Sequence, residues 1–164
     1  MRKIIWCLIV VVAFSSAGCI KKTGGCAYSD NNITASAAEQ QAVVDYLSSQ
    51  SITAEKHSSG MYYKILTAGS GGTANVCSQV QVNYVGRLTN GTQFDANASF
   101  VYDLGALIEG WKKGIPLIEK GGHILLYIPP SLGYGNRDIK DNNGAVVIPA
   151  NSILVFDITL INFN

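Results

Sequence analysis

Aromatic residues recur along the C-terminal half of this 164-residue chain, among alternating apolar segments. The series is Tyr84, Phe94, Trp111, Tyr134 and Phe156. A carboxylate, Asp95, follows Phe94 directly, but the series holds few hydrogen-bonding groups and no nucleophile. Such side chains predict a pocket that acts on its ligand by enclosing and desolvating it, without a covalent step.

Each of these residues also has a simpler explanation. Tyr84 and Phe156 would pack in any core built from the surrounding apolar segments. Trp111 is harder to explain in this way, because glycines lie one residue before it and three residues after it. Asp95 could solvate a turn or, at the edge of a pocket, orient the Tyr134 hydroxyl. Both the core and the pocket interpretations remain open at this point.

The elements that must position these residues are mainly strands. From Met61 the apolar period changes from helical to alternating. Asn90-Gly91 predicts a type I′ hairpin turn, since both residues tolerate a positive φ, and this turn places Phe94 and Asp95 on the return strand. The residues expected on one face of the first strand are Val80, Val82, Tyr84, Gly86 and Leu88.

Three further strands are predicted at 100–104, 124–128 and 153–161, and a short helix at 107–115. The expected fold class is α+β, with a curved antiparallel sheet wrapped around one short helix. Ser36 and Glu39 form a capping-box pattern that predicts an amphipathic helix over 37–49, within an N-terminal helical extension spanning 36–57. Its predicted apolar face comprises Ala37, Val44 and Leu47.

The first residues are typical of a targeting segment. Arg2 and Lys3 precede an apolar run over 4–14 and then small residues before Cys19. This pattern resembles a bacterial lipobox, so we expect a signal peptide over 1–18, lipidation of Cys19 and a flexible tether over 19–35. The domain would then be anchored to a membrane in the bacterial cell envelope. Ordinary cleavage nearby, with Cys19 left as a free thiol, is the alternative.

The remaining cysteines favour one disulfide. Cys7 leaves with the signal peptide and Cys19 is taken by lipid, so Cys26 and Cys77 are left as an even pair in an oxidising compartment. Two separate thiols are the alternative, because sequence does not give the geometry.

The charge pattern and the histidines exclude other functions. A net charge of +1 with 14% charged residues offers no basic stripe, so no nucleic acid partner is expected. His57 and His123 are far apart and lack cysteine or carboxylate spacing, so no metal site is expected.

Several motifs carry a resemblance to a known family. These are VQVNYVGRLTNGTQFD, IEGWKKGI, IPPSLGYG and VIPANSILVFDITL. Through them, residues 61–164 resemble an FKBP-type peptidyl-prolyl cis-trans isomerase domain. The resemblance implies isomerisation of X–Pro bonds in proline-containing polypeptides during the folding of exported proteins, no cofactor, and macrolide inhibitors as possible ligands.

The resemblance also implies a set of site residues. Trp111 would form the pocket floor, while the Ile108 N–H and the Tyr134 O–H would donate hydrogen bonds to substrate carbonyls. The implied catalytic residues are Tyr84, Phe94, Asp95, Ile108, Trp111, Tyr134 and Phe156. The implied substrate-binding residues are Phe100, Leu107 and Ile148.

Two features depart from the family pattern. The links from Asp95 to Phe100 and from Gly105 to Ile108 are short, and residues 136–147 form an insert at the expected rim. These departures favour a second hypothesis, a peptide-binding or chaperone module with little or no turnover.

Overall fold

A computed structural model describes residues 26–164 of the chain. The described part contains two α-helices, eight β-strands and three short 3-10 helices in the connections. The elements are α1 (Ala37–Ser49), β1 (Glu55–Lys56), β2 (Tyr62–Thr67), β3 (Gln79–Leu88), β4 (Gln93–Asp103), α2 (Glu109–Gly114), β5 (His123–Ile128), β6 (Ile139–Lys140), β7 (Val146–Ile148) and β8 (Leu154–Phe163).

Six strands form one antiparallel sheet in the order β1-β2-β5-β8-β3-β4, while β6 and β7 pair as a separate hairpin. The predicted α+β fold with an N-terminal helix is confirmed. Strand β3 shows the predicted alternation, since Val80, Val82, Tyr84 and Gly86 are buried and Gln79, Asn83 and Arg87 are exposed.

The short helix α2 lies against β5 at close range. A Cβ built on Gly110 would come within 2.5 Å of Ile128 Cδ1, and one on Gly114 within 2.5 Å of Leu126 Cδ1. Glycine at both positions therefore lets the helix backbone approach the sheet. This approach buries Trp111, which is 4% exposed, on the inner face of the sheet.

The β3–β4 hairpin forms as predicted, but its turn differs from the predicted type. The Leu88 N–H donates to the Thr92 carbonyl, and the Gly91 N–H donates to the Leu88 carbonyl. Of the Asn90-Gly91 pair, only Gly91 has a positive φ, at +86°. The loop is thus a three-residue connection ending in a left-handed glycine, and the type I′ prediction is wrong because that turn needs positive φ at both residues.

Helix α1 packs on the outer face of the sheet. The capping box is present, and Val43 and Leu47 are buried against Tyr127 of β5. The predicted apolar face is correct for Leu47 but wrong for Ala37, which is exposed, while Val44 is only half-buried. The reason is that a single helix packed on a sheet buries only a narrow stripe of side chains, here Val43 and Leu47, which are four residues apart.

Residues 26–35 are fixed to the domain. A disulfide joins Cys26 to Cys77, with 5.5 Å between their Cα atoms. The Lys113 ammonium donates to Asp30 Oδ1 at 2.8 Å and to the Asn31 carbonyl at 2.6 Å. The prediction of a flexible tether is therefore wrong for this segment, because a covalent link and a half-buried charged contact hold it.

The rest of the predicted N-terminus, which comprises the signal peptide, Cys19 and residues up to 25, lies outside the described residues. In the described range 26–164, neither helix has the length and apolar content needed to cross a membrane.

Candidate active site

The inner face of the sheet and α2 enclose a cavity of about 190 Å³. Eight of the ten residues predicted for the site line it together. They are Tyr84, Asp95, Phe100, Leu107, Ile108, Trp111, Tyr134 and Phe156.

The other two predicted residues lie behind the cavity wall. The Phe94 ring meets Phe156 edge to face, with 5.5 Å between ring centroids. Ile148 is 3% exposed and belongs to the main hydrophobic core. Both therefore support the lining without belonging to it.

Trp111 forms the floor of the cavity among aromatic rings. Its centroid lies 5.1 Å from that of Tyr84 and 5.2 Å from that of Phe156, both at near-perpendicular angles. The buried indole N–H has no hydrogen-bond partner within residues 26–164. The ring is thus held by edge-to-face packing, which aromatic quadrupoles favour.

Asp95 is the polar group of the cavity wall, and its partner differs from the expected one. The Tyr84 hydroxyl donates to Asp95 Oδ2 at 2.6 Å. We expected Asp95 to orient the Tyr134 hydroxyl, but no hydrogen bond joins these two side chains in the structure. The Tyr134 hydroxyl lines the cavity and has no side-chain hydrogen bond to Asp95, so its proton can be donated to a ligand.

Both tyrosine hydroxyls are stabilised in their neutral form. Burial, and then the hydrogen bond to Asp95 and its charge, raise the pKa of Tyr84 well above its usual value. Burial first, and then the Asp95 charge, raise the pKa of Tyr134. Tyr134 therefore remains an O–H donor throughout the neutral pH range.

A bulge in β4 brings Phe100 into the cavity. Tyr84 faces Asn97 and Val82 faces Phe100, so three steps on β4 match two on β3. The backbone of the bulge is strained at Ser99, a non-glycine residue with a φ of +69°. The extra residue changes which side chains face inward, and so Asp95 and Phe100 line the same cavity despite their odd spacing.

Ile108 offers a backbone donor at the cavity. It precedes α2 with extended backbone angles, and its carbonyl accepts from Trp111 and Lys112. Its own N–H has no backbone partner within the described residues. This donor can be satisfied by a ligand carbonyl.

The insert at 136–147 is an ordered hairpin formed by β6 and β7. Its base is closed by two bonds, one from the Ala150 N–H to Asp138 Oδ1 at 2.7 Å and one from the Asn151 N–H to the Gly135 carbonyl at 2.8 Å. Since Tyr134 directly precedes this base, the hairpin fixes the chain direction at one edge of the cavity.

One contact that bears on Tyr134 has no signal in the sequence. Glu39 Oε2 completes the capping box, while Oε1 accepts the Ser131 N–H at 2.8 Å, in the turn before Tyr134. Burial acts to raise the pKa of Glu39, but hydrogen bonds from Ser36 and Ser131 outweigh it and hold the pKa below its usual value. The S-x-x-E pattern revealed the cap, but no local pattern reveals a partner 92 residues away.

A second, more open groove of about 340 Å³ lies beside β3, β4 and β8. Apart from Tyr84 and Val85, its lining is polar or small, with Asn83, Asn97, Asp157 and Thr159 among its members. The described residues 26–164 contain no cluster of three or more His, Cys, Asp or Glu side chains that could hold a metal ion. The aromatic cavity is therefore the stronger candidate site.

Comparison with known proteins gives a consistent result. A family model described as FKBP-type peptidyl-prolyl cis-trans isomerase matches residues 71–161. A probable FKBP-type peptidyl-prolyl cis-trans isomerase from Haemophilus influenzae is 38% identical over 110 residues, which cover 65% of this chain and 44% of that protein. The FKBP-type peptidyl-prolyl cis-trans isomerase FkpA from Buchnera aphidicola is 42% identical over 112 residues, covering 65% of this chain and 42% of that protein.

Among solved structures, FkpA from Escherichia coli is similar with a TM-score of 0.66 and 34% identity, over 78% of this chain and 61% of that one. The chain thus spans less than half the length of both sequence relatives.

Proposed function

The chain belongs to the FKBP-type peptidyl-prolyl cis-trans isomerase family, and we propose that it accelerates the isomerisation of X–Pro bonds in its aromatic cavity. One observation carries the proposal: eight residues from β3, β4, α2, β8 and the connections between strands converge on a cavity of about 190 Å³. A proline ring is small and apolar, and so matches this enclosure.

The chemistry to be accelerated is rotation about a tertiary amide. The barrier of about 18 to 20 kcal/mol comes from amide resonance, so an unaided X–Pro bond interconverts in tens to hundreds of seconds. The planar ground state separates more charge between oxygen and nitrogen than the twisted transition state does. Water therefore stabilises the planar form more, and an aromatic cavity removes part of that advantage.

The chain's own groups then hold the twisted geometry. The Tyr134 O–H and the Ile108 N–H are donors that peptide carbonyls can occupy. Asp95 fixes Tyr84 by their 2.6 Å hydrogen bond and takes no proton in this scheme. A thousandfold acceleration requires about 4 kcal/mol of differential stabilisation, and the step is non-covalent.

Substitutions at two pocket residues test the proposal. Tyr134→Phe removes one donor, and we expect turnover of a short X–Pro peptide to fall by about three- to tenfold, the value of one hydrogen bond. Asp95→Val leaves the Tyr84 hydroxyl without its hydrogen-bond acceptor and should lower turnover further. Tyr63→Phe is the matched control, because that hydroxyl bonds Glu55 on the short strand β1, away from the cavity.

Peptide binding and turnover are measured together in folded protein, by titration and by exchange spectroscopy. Unchanged binding and turnover in both variants would show that the site is misassigned. Binding of the peptide by the unmodified protein without any turnover would instead support the peptide-binding or chaperone module.

We further propose that the protein acts on exported polypeptides in the bacterial cell envelope, anchored through a lipid on Cys19. The support is the cationic start, the apolar run and the small residues before Cys19, together with a disulfide of the kind that persists in oxidising compartments. Cys19→Ala should release the protein from membranes in a fractionation experiment.

We also propose that macrolides fill the aromatic cavity and compete there with peptide. A peptide affinity that is unchanged by added macrolide would contradict this proposal.

A further inference from the structure

The aromatic wall of the cavity continues beyond its mouth. Phe100, which lines the cavity, is stacked on Tyr102 with 5.6 Å between ring centroids and an interplanar angle of 7°. Tyr102 is 49% exposed, so one side of this stack lies open to solvent. Large exposed aromatic rings beside a binding cavity are typical of contact surfaces.

Tyr28 reaches the same place from the N-terminal segment. It packs over Gly105, where a Cβ would collide with its ring, and its hydroxyl donates to Asp103 Oδ2 at 3.3 Å. Tyr28 is 37% exposed. Two residues away, Cys26 is bonded to Cys77, so a covalent link restrains the backbone that carries this ring.

The two tyrosines line one further cavity of about 300 Å³. Its other lining residues are Gln79, Val101, Asp103 and Ala106. Ala106 directly precedes Leu107, which lines the aromatic cavity, so the two cavities adjoin along the chain as well as through the Phe100–Tyr102 stack.

We propose that Tyr28 and Tyr102 form a secondary subsite that binds an apolar or aromatic side chain of the same peptide, a few residues from the proline. The inference rests on the proposed function and deepens it by naming a substrate preference. Phe100 and Tyr102 are two strand positions apart, roughly 7 Å, and an extended peptide covers that span with about two residues. The preferred side chain is thus expected about two to four positions from the proline.

Tyrosine suits this role, because it offers a large rigid surface at low entropic cost with a polar tip that tolerates water. Two other exposed apolar side chains do not lie beside the aromatic cavity. Leu66, 45% exposed on β2, and Val146, 46% exposed on β7, line neither cavity. Tyr28 lies outside residues 71–161 and Tyr102 lies within them, so the subsite combines this chain's N-terminal segment with the matched domain.

Peptides of graded composition test the subsite on the full-length protein. The reference is a ten-residue peptide with one Ala-Pro bond among glycines and serines. In the test series a single phenylalanine stands two, three or four positions before or after the proline. Dissociation constants and exchange rates are measured for each peptide by nuclear magnetic resonance.

At least one phenylalanine peptide should bind about three- to tenfold more tightly than the reference, the usual value of one aromatic contact. Tyr28→Ala and Tyr102→Ala should each abolish that gain while leaving the reference peptide unchanged. Tyr28→Phe should retain the gain, because it keeps the ring, and Leu66→Ala should retain it as the matched removal of an exposed apolar side chain at the far side of the sheet.

The other outcomes are equally decisive. A gain that persists in both alanine variants, or no gain with any peptide, would overturn the subsite while leaving the proposed function intact. An equal loss for all peptides, the reference included, would mean that the tyrosines act only on the fold. A reference peptide that neither binds nor exchanges would overturn the proposed function together with the subsite.

Discussion

Two regions of the molecule are held in different ways. The sheet with α2 is built from long antiparallel pairings and one continuous apolar core. The N-terminal extension, here residues 26–49, is held by separate contacts, among them one disulfide, the Lys113–Asp30 ion pair, the Glu39–Ser131 hydrogen bond and a small cluster around Val43 and Leu47. The first region therefore follows from hydrophobic pattern, whereas the second depends on individual pairs, and both supply residues beside the cavity.

Truncating the cavity floor should have the largest effect. Trp111→Ala removes a ring that is 4% exposed and packed among three aromatic neighbours, so we expect a loss of about 3 to 5 kcal/mol in the free energy of unfolding. Urea denaturation measures this loss. Tyr46→Ala is the matched truncation in the extension, where the ring is half-buried and 6.3 Å from Tyr127. An equal loss at both positions would contradict the distinction between the regions.

Removing the disulfide should have the next largest effect. Cys26 and Cys77 are 51 residues apart, and the double serine variant should lose about 2 to 4 kcal/mol of unfolding free energy. Turnover of a short X–Pro peptide should stay unchanged, because no residue of 26–35 lines the aromatic cavity. If turnover of the short peptide falls with the disulfide, the extension contributes to the cavity itself.

The Glu39 contact should have the smallest effect and a defined pH dependence. Glu39→Gln weakens both the helix cap and the bond from Ser131, with an expected loss of about 1 kcal/mol at pH 7. Because the pKa of Glu39 is lowered in the folded state, its contribution is present above the usual glutamate pKa and is lost as the pH falls through the lowered value.

The variant and the parent should therefore converge in stability in acid. Glu55→Gln provides the matched control on β1, where the carboxylate accepts only the Tyr63 hydroxyl among the side-chain bonds of the described residues. A constant difference between Glu39→Gln and the parent over the whole acid range would show that the carboxylate charge plays no part.

The sequence predicted the first region well, for a physical reason. The alternation in β3 and the short glycine-flanked helix follow from local periods that the chain itself displays. The bulge at Ser99 was not predicted, because its positive φ is imposed by pairing with β3 and no glycine marks it. The family resemblance nevertheless implied Phe100 as a site residue, and it lines the cavity.

The second region was predicted only in part. The capping box gave the start of α1, but the face that α1 buries is decided by the sheet surface it meets, which the sequence does not display. The segment over 26–35 is polar and small, as tethers are, and its attachment depends on partners such as Lys113 that lie more than 80 residues away. Pairwise contacts of this kind leave no periodic trace.

The most direct test of the central claim is the interconversion rate of one short X–Pro peptide with the protein, measured in H2O and in D2O. We expect exchange well above the spontaneous rate and nearly equal in the two solvents, because the cavity acts by enclosure and transfers no proton. No acceleration by folded protein would contradict the proposed activity. Acceleration that falls severalfold in D2O would contradict catalysis by enclosure alone and indicate a proton transfer in the cavity.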